Sequence, residues 1–590
     1  MYALRSRWKW AAMGALVLMT IDMSLISVQV RHPIDPWPWG QLLYQWSALV
    51  LGCTLLQAGT EYWVPMRSRH WSVTCLSIVA GSAVGASYIP SLHGGLVGGA
   101  IGLLFGLLVP RRMTPAAVVG LTLIWTGTTL IKKGSSPDIT EDTINRPDIV
   151  LVTIDTVRED ALSSSPRALI PALTPTLDRL AGMGCQHHEA TAPSPLTGPS
   201  HAAMLSGAHP LELGLFKNGA TLPKNIPWMP EILHRQGYQT AAFVSSAMLD
   251  GSLGYQRGFH TYDDDQSGMA AMSHSTLSHI FPVPTVSKSD SFSRYGGETI
   301  ERMTQWLSDV DPDRPVFIWL HLYDAHRPYV ATSDSMRFVE EATVRLPEPS
   351  SFSQWTPPDD TPPVTSIGTK IFDDLMQTAM NTSLKPGPET MPLMYLAGVR
   401  DLDGLVGKAW TSIDTLRPDS DRIWAILGDH GESLTEHGEL GSHQHNVYEA
   451  NLRVPFLLSD GDCPTGPRST VEVAGILLKR AKIDESWPTG LPLEAAVRVG
   501  KRAPTHPSMF KLSRRVGDQK VVVGIDDEQT MFTESYELSV DPHEQRPLSR
   551  TPTSLGHFAQ EATPKLTDRP EQHSTDASVH EALRALGYIE

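Results

Sequence analysis

The chain has 590 residues, more than one hydrophobic core can organise, so we expect a protein of several parts. It carries 48 Lys and Arg against 64 Asp and Glu, and this net charge of −16 argues against a nucleic-acid-binding protein. Because residues 1–133 hold ten basic and three acidic residues, the acidic excess lies entirely in residues 134–590.

The first 133 residues are strongly apolar. Five stretches approach the ~20 residues that a membrane-spanning helix needs, roughly 11–30, 41–59, 71–89, 92–109 and 115–131. The last two are the shortest, so four spans remain an alternative. A cleaved signal peptide would explain only the first stretch. We therefore predict an all-α transmembrane domain at 1–133.

Basic residues near these stretches predict their orientation. They precede the first span and follow the second and the fourth: Arg5, Arg7, Lys9, Arg67, Arg69, Arg111 and Arg112. Since basic residues favour the cytoplasmic side, the N-terminus is predicted in the cytoplasm. Five spans then place the large domain in the periplasm or outside the cell, and the protein in the inner membrane. Lys132 and Lys133 lie on the side that this rule disfavours.

Cysteine usage adds little to the prediction. Only four cysteines occur, and Cys53 and Cys75 lie in predicted spans. Cys185 and Cys463 could pair in an oxidising compartment, but free thiols are the expected state. The spacing is not typical of a cysteine metal site.

After a polar linker at 134–146, strand-like and helix-like segments alternate. Four apolar, β-branched runs are typical of buried parallel strands: 148–155, 240–244, 316–321 and 423–427. Helix signals separate them at 174–180, with a capping Thr174, and at 230–236, ended by Gly237. This alternation predicts an α/β catalytic domain at 147–460, with a sheet flanked by helices.

Two other kinds of segment follow different patterns. Residues 264–295 and 331–392 are rich in Ser, Pro, Thr and Asp, which predicts long surface insertions. From residue 461 onward, short strands such as 519–523 alternate with polar turns. We expect a smaller C-terminal α+β subdomain at 461–590 with antiparallel strands.

Thr197 stands just ahead of a predicted helix that runs from Pro199 to Gly207. A helix N-terminus presents unpaired backbone N–H groups, which suit a phosphate or sulfate group. A hydroxyl at this place could attack such a group as a nucleophile. An ordinary N-cap threonine is the alternative interpretation.

A metal site is predicted from two strand ends. Asp155 and Asp429 each end an apolar strand, and ligands of open α/β sheets gather at that edge. His430 follows Asp429 directly. Together with the Thr197 hydroxyl, these groups form a plausible set of ligands for a divalent cation. Imidazole beside carboxylates suits Zn²⁺ or Mn²⁺ better than Ca²⁺.

Histidines crowd two loops beyond predicted strands. His326 and His443 could supply a proton to a leaving group near neutral pH, bind the substrate or hold a second ion. Solvent-exposed loop histidines are the alternative, and we take this view of His321 and His445.

Six segments of the chain, in this order, carry a family resemblance: 155–160, 194–207, 226–263, 428–455, 538–542 and 583–588. Through them, the stretch from about 147 to the C-terminus closely resembles the sulfatase family of the alkaline phosphatase superfamily. His326 falls where the family keeps a substrate-binding histidine.

The chain also departs from this family. Sulfatases of the family oxidise a Cys or Ser to formylglycine, guided by a nearby proline and arginine. Here Thr197 occupies the nucleophile position and His201 stands in the place of the arginine. Threonine cannot give the aldehyde, so the resemblance implies an enzyme without formylglycine. A threonine nucleophile, a metal and N-terminal membrane helices are similar to lipid phosphoethanolamine and phosphoglycerol transferases.

The residues and the resemblance together predict a membrane-anchored metalloenzyme that transfers phosphoryl head groups or hydrolyses phosphoesters, with a membrane lipid or a glycan as substrate. The predicted roles are metal binding by Asp155, Thr197, Asp429 and His430, catalysis by Thr197, His326 and His443, and substrate binding by His326, His443, His201 and Lys217. A sulfuric ester hydrolase that needs no formylglycine is one alternative, and a catalytically inactive sensor or scaffold is another. The oligomeric state stays open.

Overall fold

The computed structural model describes residues 145–265, 293–342, 390–438, 441–459 and 466–567, with short gaps at 328, 330, 486, 488–491, 500–508 and 527–528. The predicted transmembrane domain and nearly all of the linker lie outside these residues. Within the described part of the chain, no helix is both long enough and apolar enough to cross a membrane.

Fourteen strands are formed by the described residues, and we number them in chain order. They are β1 Asp148–Ile154, β2 Cys185–Gln186, β3 Ala190–Thr191, β4 Gln239–Val244, β5 Thr261–Asp263, β6 Val316–Leu322, β7 Arg422–Gly428, β8 Arg453–Val454, β9 Phe456–Leu458, β10 Arg468–Ser469, β11 Leu493–Val499, β12 Met509–Val516, β13 Gln519–Asp526 and β14 Gln529–Glu537. The four apolar runs predicted as strands are β1, β4, β6 and β7, each within two residues of its predicted ends.

Ten α-helices accompany these strands in the described residues. They are α1 Pro175–Met183, α2 Thr197–Ser206, α3 Pro210–Leu213, α4 Met229–Arg235, α5 Gly296–Asp309, α6 Ser333–Glu341, α7 Met391–Leu416, α8 Glu449–Leu452, α9 Val473–Arg480 and α10 Phe558–Thr567. Short 3₁₀ turns occur at Glu159–Ala161, Ala247–Leu249, Gly251–Leu253, Glu436–Gly438 and Thr470–Glu472.

The main sheet has seven strands in the order β2-β9-β7-β1-β6-β4-β5. Strands β7, β1, β6, β4 and β5 are parallel, and β9 and β2 add an antiparallel edge. The strand β1 is central and buried along its whole length, as its uninterrupted apolar sequence predicts. The predicted α/β sheet with flanking helices is therefore confirmed.

Two hydrophobic cores cover the two faces of this sheet. Alternate residues of β1 enter them, with Ile149 and Leu151 in one core and Val150 and Val152 in the other. The first core includes α2, α4 and α9, and the second includes α1, α5, α6 and α7. The sheet is thus sandwiched between two helical layers.

The C-terminal part forms a second, antiparallel sheet in the order β11-β12-β13-β14. One face of this sheet packs on α10 through a small core that includes Leu512, Val521 and Phe558. Its other face, through Ala495 and Val522, joins the core that contains α2. This sheet therefore supports the helix on which Thr197 stands.

Three local predictions are corrected by the structure. The segment 331–392 contains the helix α6, whose Thr332 caps its first turn, so this part is more regular than a surface insertion. Thr174 stands at the N-cap of α1, but its hydroxyl bonds the side chain of Asp178 rather than the helix backbone. Cys185 is disulfide-bonded, so the free thiol expected there was wrong.

A buried ion pair ties the loop after β1 to the loop after β7. The Arg158 guanidinium donates to Glu436 at 2.8 Å, to the Glu432 carbonyl at 3.0 Å and to Asp160 at 2.7 Å. Burial alone would raise the pKa of Glu436, but the charge of Arg158 outweighs it and lowers this pKa to about 2. Arg158 therefore holds together the loop that follows Asp155 and the loop that follows Asp429.

We expect Glu436→Gln to lower the free energy of unfolding by about 3 kcal/mol near neutral pH, because it leaves Arg158 buried without its partner. Since the pKa of Glu436 is depressed, its contribution is present above about pH 4.5 and is lost as the pH falls toward 2. Urea unfolding at about pH 7 and about pH 3 checks this, with the exposed Glu340→Gln as a matched control. An equal loss at both pH values would contradict the assignment.

Candidate active site

Two aspartates meet where β1 and β7 end. The strands are adjacent and parallel, and Ile154 stands beside Gly428, so Asp155 and Asp429 leave the sheet at the same level. Both side chains are fully buried. The Asp429 backbone N–H donates to the Ile154 carbonyl at 3.4 Å, which continues the strand pairing up to the site. The sheet itself thus fixes the spacing of the two carboxylates.

Thr156, the buried residue directly after Asp155, has an unusual backbone conformation. Its φ of +57° lies in the left-handed region, which is unfavourable for a β-branched side chain. In this conformation its N–H donates to Asp429 Oδ1 at 3.2 Å, and its hydroxyl donates to the Asp155 carbonyl at 2.8 Å. The strained backbone therefore links the two aspartates.

His430 completes a group of three potential metal ligands. Its Nε2 lies 3.5 Å from Asp429 Oδ2 and 3.8 Å from Asp155 Oδ1, and one donor atom from each residue lies within 4.8 Å of the others. Its Nδ1 lies 3.0 Å from the Gly431 carbonyl. Because a carbonyl can only accept, the proton sits on Nδ1 and Nε2 turns toward the carboxylates.

The electrostatics of this group call for a positive charge at its centre. Burial raises the pKa of both Asp155 and Asp429, and the charge of Asp155 adds to the rise at Asp429. Burial lowers the pKa of His430, but the two carboxylates outweigh it and raise that pKa overall. Asp155 Oδ1 and Asp429 Oδ2 are buried and have no hydrogen-bond partner among the described residues. A divalent cation fits this set of oxygen and nitrogen donors.

Thr197 lies against two of these groups. Its Oγ1 is 3.3 Å from Asp155 Oδ2 and 3.4 Å from His430 Nε2. The structure makes Thr197 the first residue of α2, with Leu196 at the N-cap, so the ordinary N-cap interpretation was wrong. All ten residues of α2 are buried, and because Thr197 is its first residue, the partial positive charge of the helix N-terminus lies at the site.

His326 and His443 lie on the other side of His430. The His443 ring centroid is 4.4 Å from that of His430 and 5.1 Å from that of His326. Burial lowers the pKa of both, that of His326 to about 4, so each is neutral near pH 7. Their Nδ1 atoms face the Arg327 carbonyl and Glu432 Oε1. Each ring therefore keeps Nε2 as the acceptor, which suits a base better than the predicted acid.

Glu432 is a buried residue that the sequence interpretation missed. One carboxylate oxygen accepts from His443 Nδ1 at 3.1 Å, and the other accepts from the Tyr329 hydroxyl at 3.1 Å. Burial raises its pKa. The signal in the sequence was its place two residues after His430, where a glutamate in a glycine-rich loop suggests a partner for a nearby histidine.

His201 lies behind the nucleophile. Its Nδ1 is 2.8 Å from the Thr197 carbonyl and its Nε2 is 2.9 Å from Thr153 Oγ1, so both ring nitrogens are engaged inside the protein. Burial lowers its pKa to about 3. His201 thus supports the first turn of α2, a different position from the substrate-binding one that we predicted.

Lys217 and His321 differ in how deeply they are buried. Lys217 is half-buried, and the next residue, Asn218, accepts from the Gly198 N–H at 2.8 Å; the substrate-binding role of Lys217 stays a prediction. His321, which we expected in a solvated loop, is fully buried in β6 with its Nε2 3.5 Å from Asp155 Oδ2. The expectation failed because β6 continues through Leu322 beside β1.

Several named proteins are similar to this chain in sequence. A protein named Sulfatase from Formosa agariphila is 24% identical over 365 residues, which cover 55% of this chain and 66% of that protein. The Ulvan-active sulfatase of the same organism is 23% identical, and the match covers 57% of its length. Arylsulfatase K from Mus musculus is 21% identical over 474 residues, or 74% of this chain and 81% of the relative. The chain therefore spans less than two thirds of the two Formosa proteins.

The fold is shared with a solved structure and with a family model. A protein solved with its substrate D-glucosamine-2-N,6-O-disulfate superposes with a TM-score of 0.53 at 17% identity, covering 71% of this chain and 97% of that one. The sulfatase family model matches residues 147–465, more than half of the chain. Because this match covers more than half of the chain, the chain belongs to the sulfatase family.

Proposed function

We propose that this protein is a metal-dependent enzyme that uses Thr197 as a nucleophile on phosphate esters. The observation that carries the proposal is the position of the Thr197 hydroxyl, which contacts both Asp155 and His430 at the N-terminus of a buried helix. A nucleophile that stands beside metal ligands at the positive end of a buried helix can bind an anionic ester and attack it in line.

Asp155, Asp429, His430 and the Thr197 hydroxyl would hold the cation. When bound, a divalent cation lowers the pKa of the hydroxyl and draws charge from the ester oxygens. Thr197 Oγ1 forms the new bond to phosphorus while the bond to the leaving oxygen breaks. The Thr197 hydroxyl donates a hydrogen bond to Asp155 Oδ2, so Asp155 is placed to take its proton during the attack. The departing oxygen takes up one proton in the same step, so the number of protons is unchanged.

A second step would release the group from Thr197. His443 is neutral near pH 7, and Glu432 fixes its proton on Nδ1, so its Nε2 can take a proton from an incoming hydroxyl. The oxygen of that hydroxyl would bond to phosphorus as the bond to Thr197 Oγ1 breaks, and Oγ1 would regain the one proton that it lost in the first step. Water as the incoming group makes the enzyme a hydrolase, and an alcohol of a lipid or glycan makes it a transferase. We propose a membrane lipid or a glycan as the substrate class.

Sulfate ester hydrolysis is the second candidate. It is favoured by the relatives, which are named as sulfatases, and by the shared fold. Against it stands Thr197, because a threonine side chain cannot be oxidised to the aldehyde that the family's sulfatases use. A non-catalytic sensor is disfavoured because Asp155, Asp429 and His430 retain their full complement of ligand atoms.

We further propose that the enzyme is anchored in the inner membrane with its catalytic domain in the periplasm. The five apolar stretches of residues 1–133 and the basic residues around them support this topology. The disulfide at Cys185 adds independent support, because disulfides persist in oxidising compartments.

Thr197→Ala is expected to lower turnover by at least about 1,000-fold, since it removes the attacking oxygen. Thr197→Ser keeps a hydroxyl and should retain part of the activity. The measurement is a panel of an aryl phosphodiester, an aryl phosphomonoester, an aryl sulfate and a fluorescent phosphatidylethanolamine. The exposed Thr411→Ala serves as the control. Cleavage of the sulfate alone, dependent on Thr197, would overturn the phosphate proposal.

Asp429→Asn should lower the affinity for Zn²⁺ or Mn²⁺ by more than about 100-fold, because it removes a ligand and a charge. In the wild type, protons compete with the cation for groups whose pKa is raised, so the affinity should rise with pH. Competition with a fluorescent chelator measures both effects. The exposed Asp421→Asn at the other end of β7 is the matched control. A pH-independent affinity would contradict this ligand set.

The membrane proposal is tested by fractionating cells that express the full chain. We expect it to remain in the membrane pellet after alkaline carbonate washing, because spanning helices resist extraction. Protease added to spheroplasts should cleave the large domain from outside. Release by carbonate, or protection from external protease, would refute the topology.

A further inference from the structure

Asn218 is a buried amide beside the nucleophile that the proposed mechanism does not use. Its side chain lies within the protein, at 1% exposure for the residue. Its Oδ1 accepts a hydrogen bond from the Gly198 N–H at 2.8 Å. Its Nδ2 is also buried, and no residue in the described part of the chain accepts a hydrogen bond from it. A buried amide donor without an acceptor is uncommon in folded proteins and needs an explanation.

Gly198 fixes the orientation of this amide. A backbone N–H can only donate, so the oxygen of the carboxamide faces Gly198 and Nδ2 is the atom left for another partner. The oxygen and nitrogen of a planar carboxamide are about 2.3 Å apart, which places Nδ2 within roughly 5 Å of the Gly198 nitrogen. Since Gly198 directly follows Thr197, the unused donor lies close to the nucleophile along the chain.

The direction of the helix places both groups at the same end of α2. The first N–H groups of a helix point out of its N-terminus, so the oxygen that accepts from Gly198 lies in front of that end. The side chain of Thr197, the first residue of α2, leans toward the same end. The Asn218 carboxamide and the attacking hydroxyl therefore border the same space in front of the helix.

The contacts around Gly198 hold the carboxamide tightly. The Tyr255 hydroxyl donates to the Gly198 carbonyl at 2.8 Å, so both backbone groups of this glycine are bound by side chains. A Cβ at Gly198 would lie 3.1 Å from Asn218 Oδ1 and 3.2 Å from the Tyr255 hydroxyl oxygen. Only a glycine leaves room for both approaches, and the donor is thus held in a fixed position.

The first turn of α2 itself has few N–H groups to offer an anion. The N–H of Gly198 is taken by Asn218, Pro199 has none, and that of Ser200 donates to the Leu196 carbonyl at 3.0 Å. The Gly198 N–H also polarises the carboxamide, which strengthens Nδ2 as a donor. Asn218 therefore extends the positive end of the helix by one amide.

We propose that Asn218 Nδ2 donates a hydrogen bond to a non-bridging oxygen of the ester that Thr197 attacks. A fixed donor at an oxygen that is negatively charged in the transition state stabilises this state without rearrangement of the site. The ester is the acceptor that the described residues do not supply. The inference rests on the proposed function, because it requires an anionic ester at Thr197.

The variant Asn218→Asp separates the donor from the support of the helix. It keeps the shape of the side chain and an oxygen for the Gly198 N–H, but it removes the Nδ2 donor. For the full chain in detergent with Mn²⁺, we expect kcat/KM for an aryl phosphodiester to fall about 100- to 1,000-fold. The exposed Asn225→Asp is the matched control and should leave kcat/KM unchanged. Wild-type activity in Asn218→Asp would show that Nδ2 contacts only a trapped water, and would overturn the proposal.

The two phosphorus isomers of the corresponding aryl phosphorothioate test the contact with Asn218→Ala. Each isomer places sulfur, a weaker acceptor than oxygen, at a different non-bridging position. Asn218→Ala should change the ratio of kcat/KM between the isomers by about 10-fold, because only one of them presents oxygen to Nδ2. Damage to the fold would slow both isomers equally, so an unchanged ratio contradicts the proposal. If thermal unfolding shows that this variant does not fold, Asn218→Asp decides.

Failure of this inference can be told apart from failure of the proposed function. A wild type without Thr197-dependent turnover of the phosphodiester would refute the proposed function, and the role of Asn218 with it. Thr197-dependent turnover that survives in Asn218→Asp at the wild-type level would refute the role of Asn218 alone.

Discussion

The burial of two carboxylates side by side is the constraint on which the rest of the site depends. Parallel pairing of β1 with β7 brings Asp155 and Asp429 to the same level, and neither reaches solvent. Like charges at this spacing in a medium of low polarity repel strongly, so the site is stable only with protons or a cation between them. The orientation of His430 and the contact of Thr197 with Asp155 follow from this requirement.

Buried hydrogen bonds and one buried ion pair hold the ligand residues and Thr197 in place. The strained Thr156 joins the two aspartates, and Arg158 with Glu436 joins the loops that follow them. Behind the nucleophile, His201 and Thr153 connect the α2 backbone to β1. Because these connections are buried and tie the loops to the strand ends and to the helix α2, they hold the ligand atoms at their spacing.

The sequence predicted those parts of the site that follow a local rule. Asp155 and Asp429 were recognised because each ends a run of apolar residues, and Thr197 because proline and glycine mark the ends of its helix. Glu432 and His321 were missed or misjudged because their roles depend on partners distant in the chain, Tyr329 and Thr153. His201 was assigned to the substrate because it stands where the family keeps an arginine, and a place in the sequence does not give the direction of a side chain. Residues 1–133, where the membrane prediction falls, lie outside the described residues.

Membership of the sulfatase family accounts for the fold of this chain, but a fold does not decide the reaction. In the proposed mechanism, the nucleophile and the ligand set decide it. A threonine cannot carry the aldehyde hydrate, so the bond to the transferred group must form on Oγ1 itself and be broken again at the same atom. In the proposed mechanism, a phosphoryl group is transferred first to Oγ1 and then to an incoming hydroxyl, with His443 as the base of the second transfer. On this proposal, a single side chain in the helix α2 separates the reaction of this chain from one that proceeds through an aldehyde hydrate.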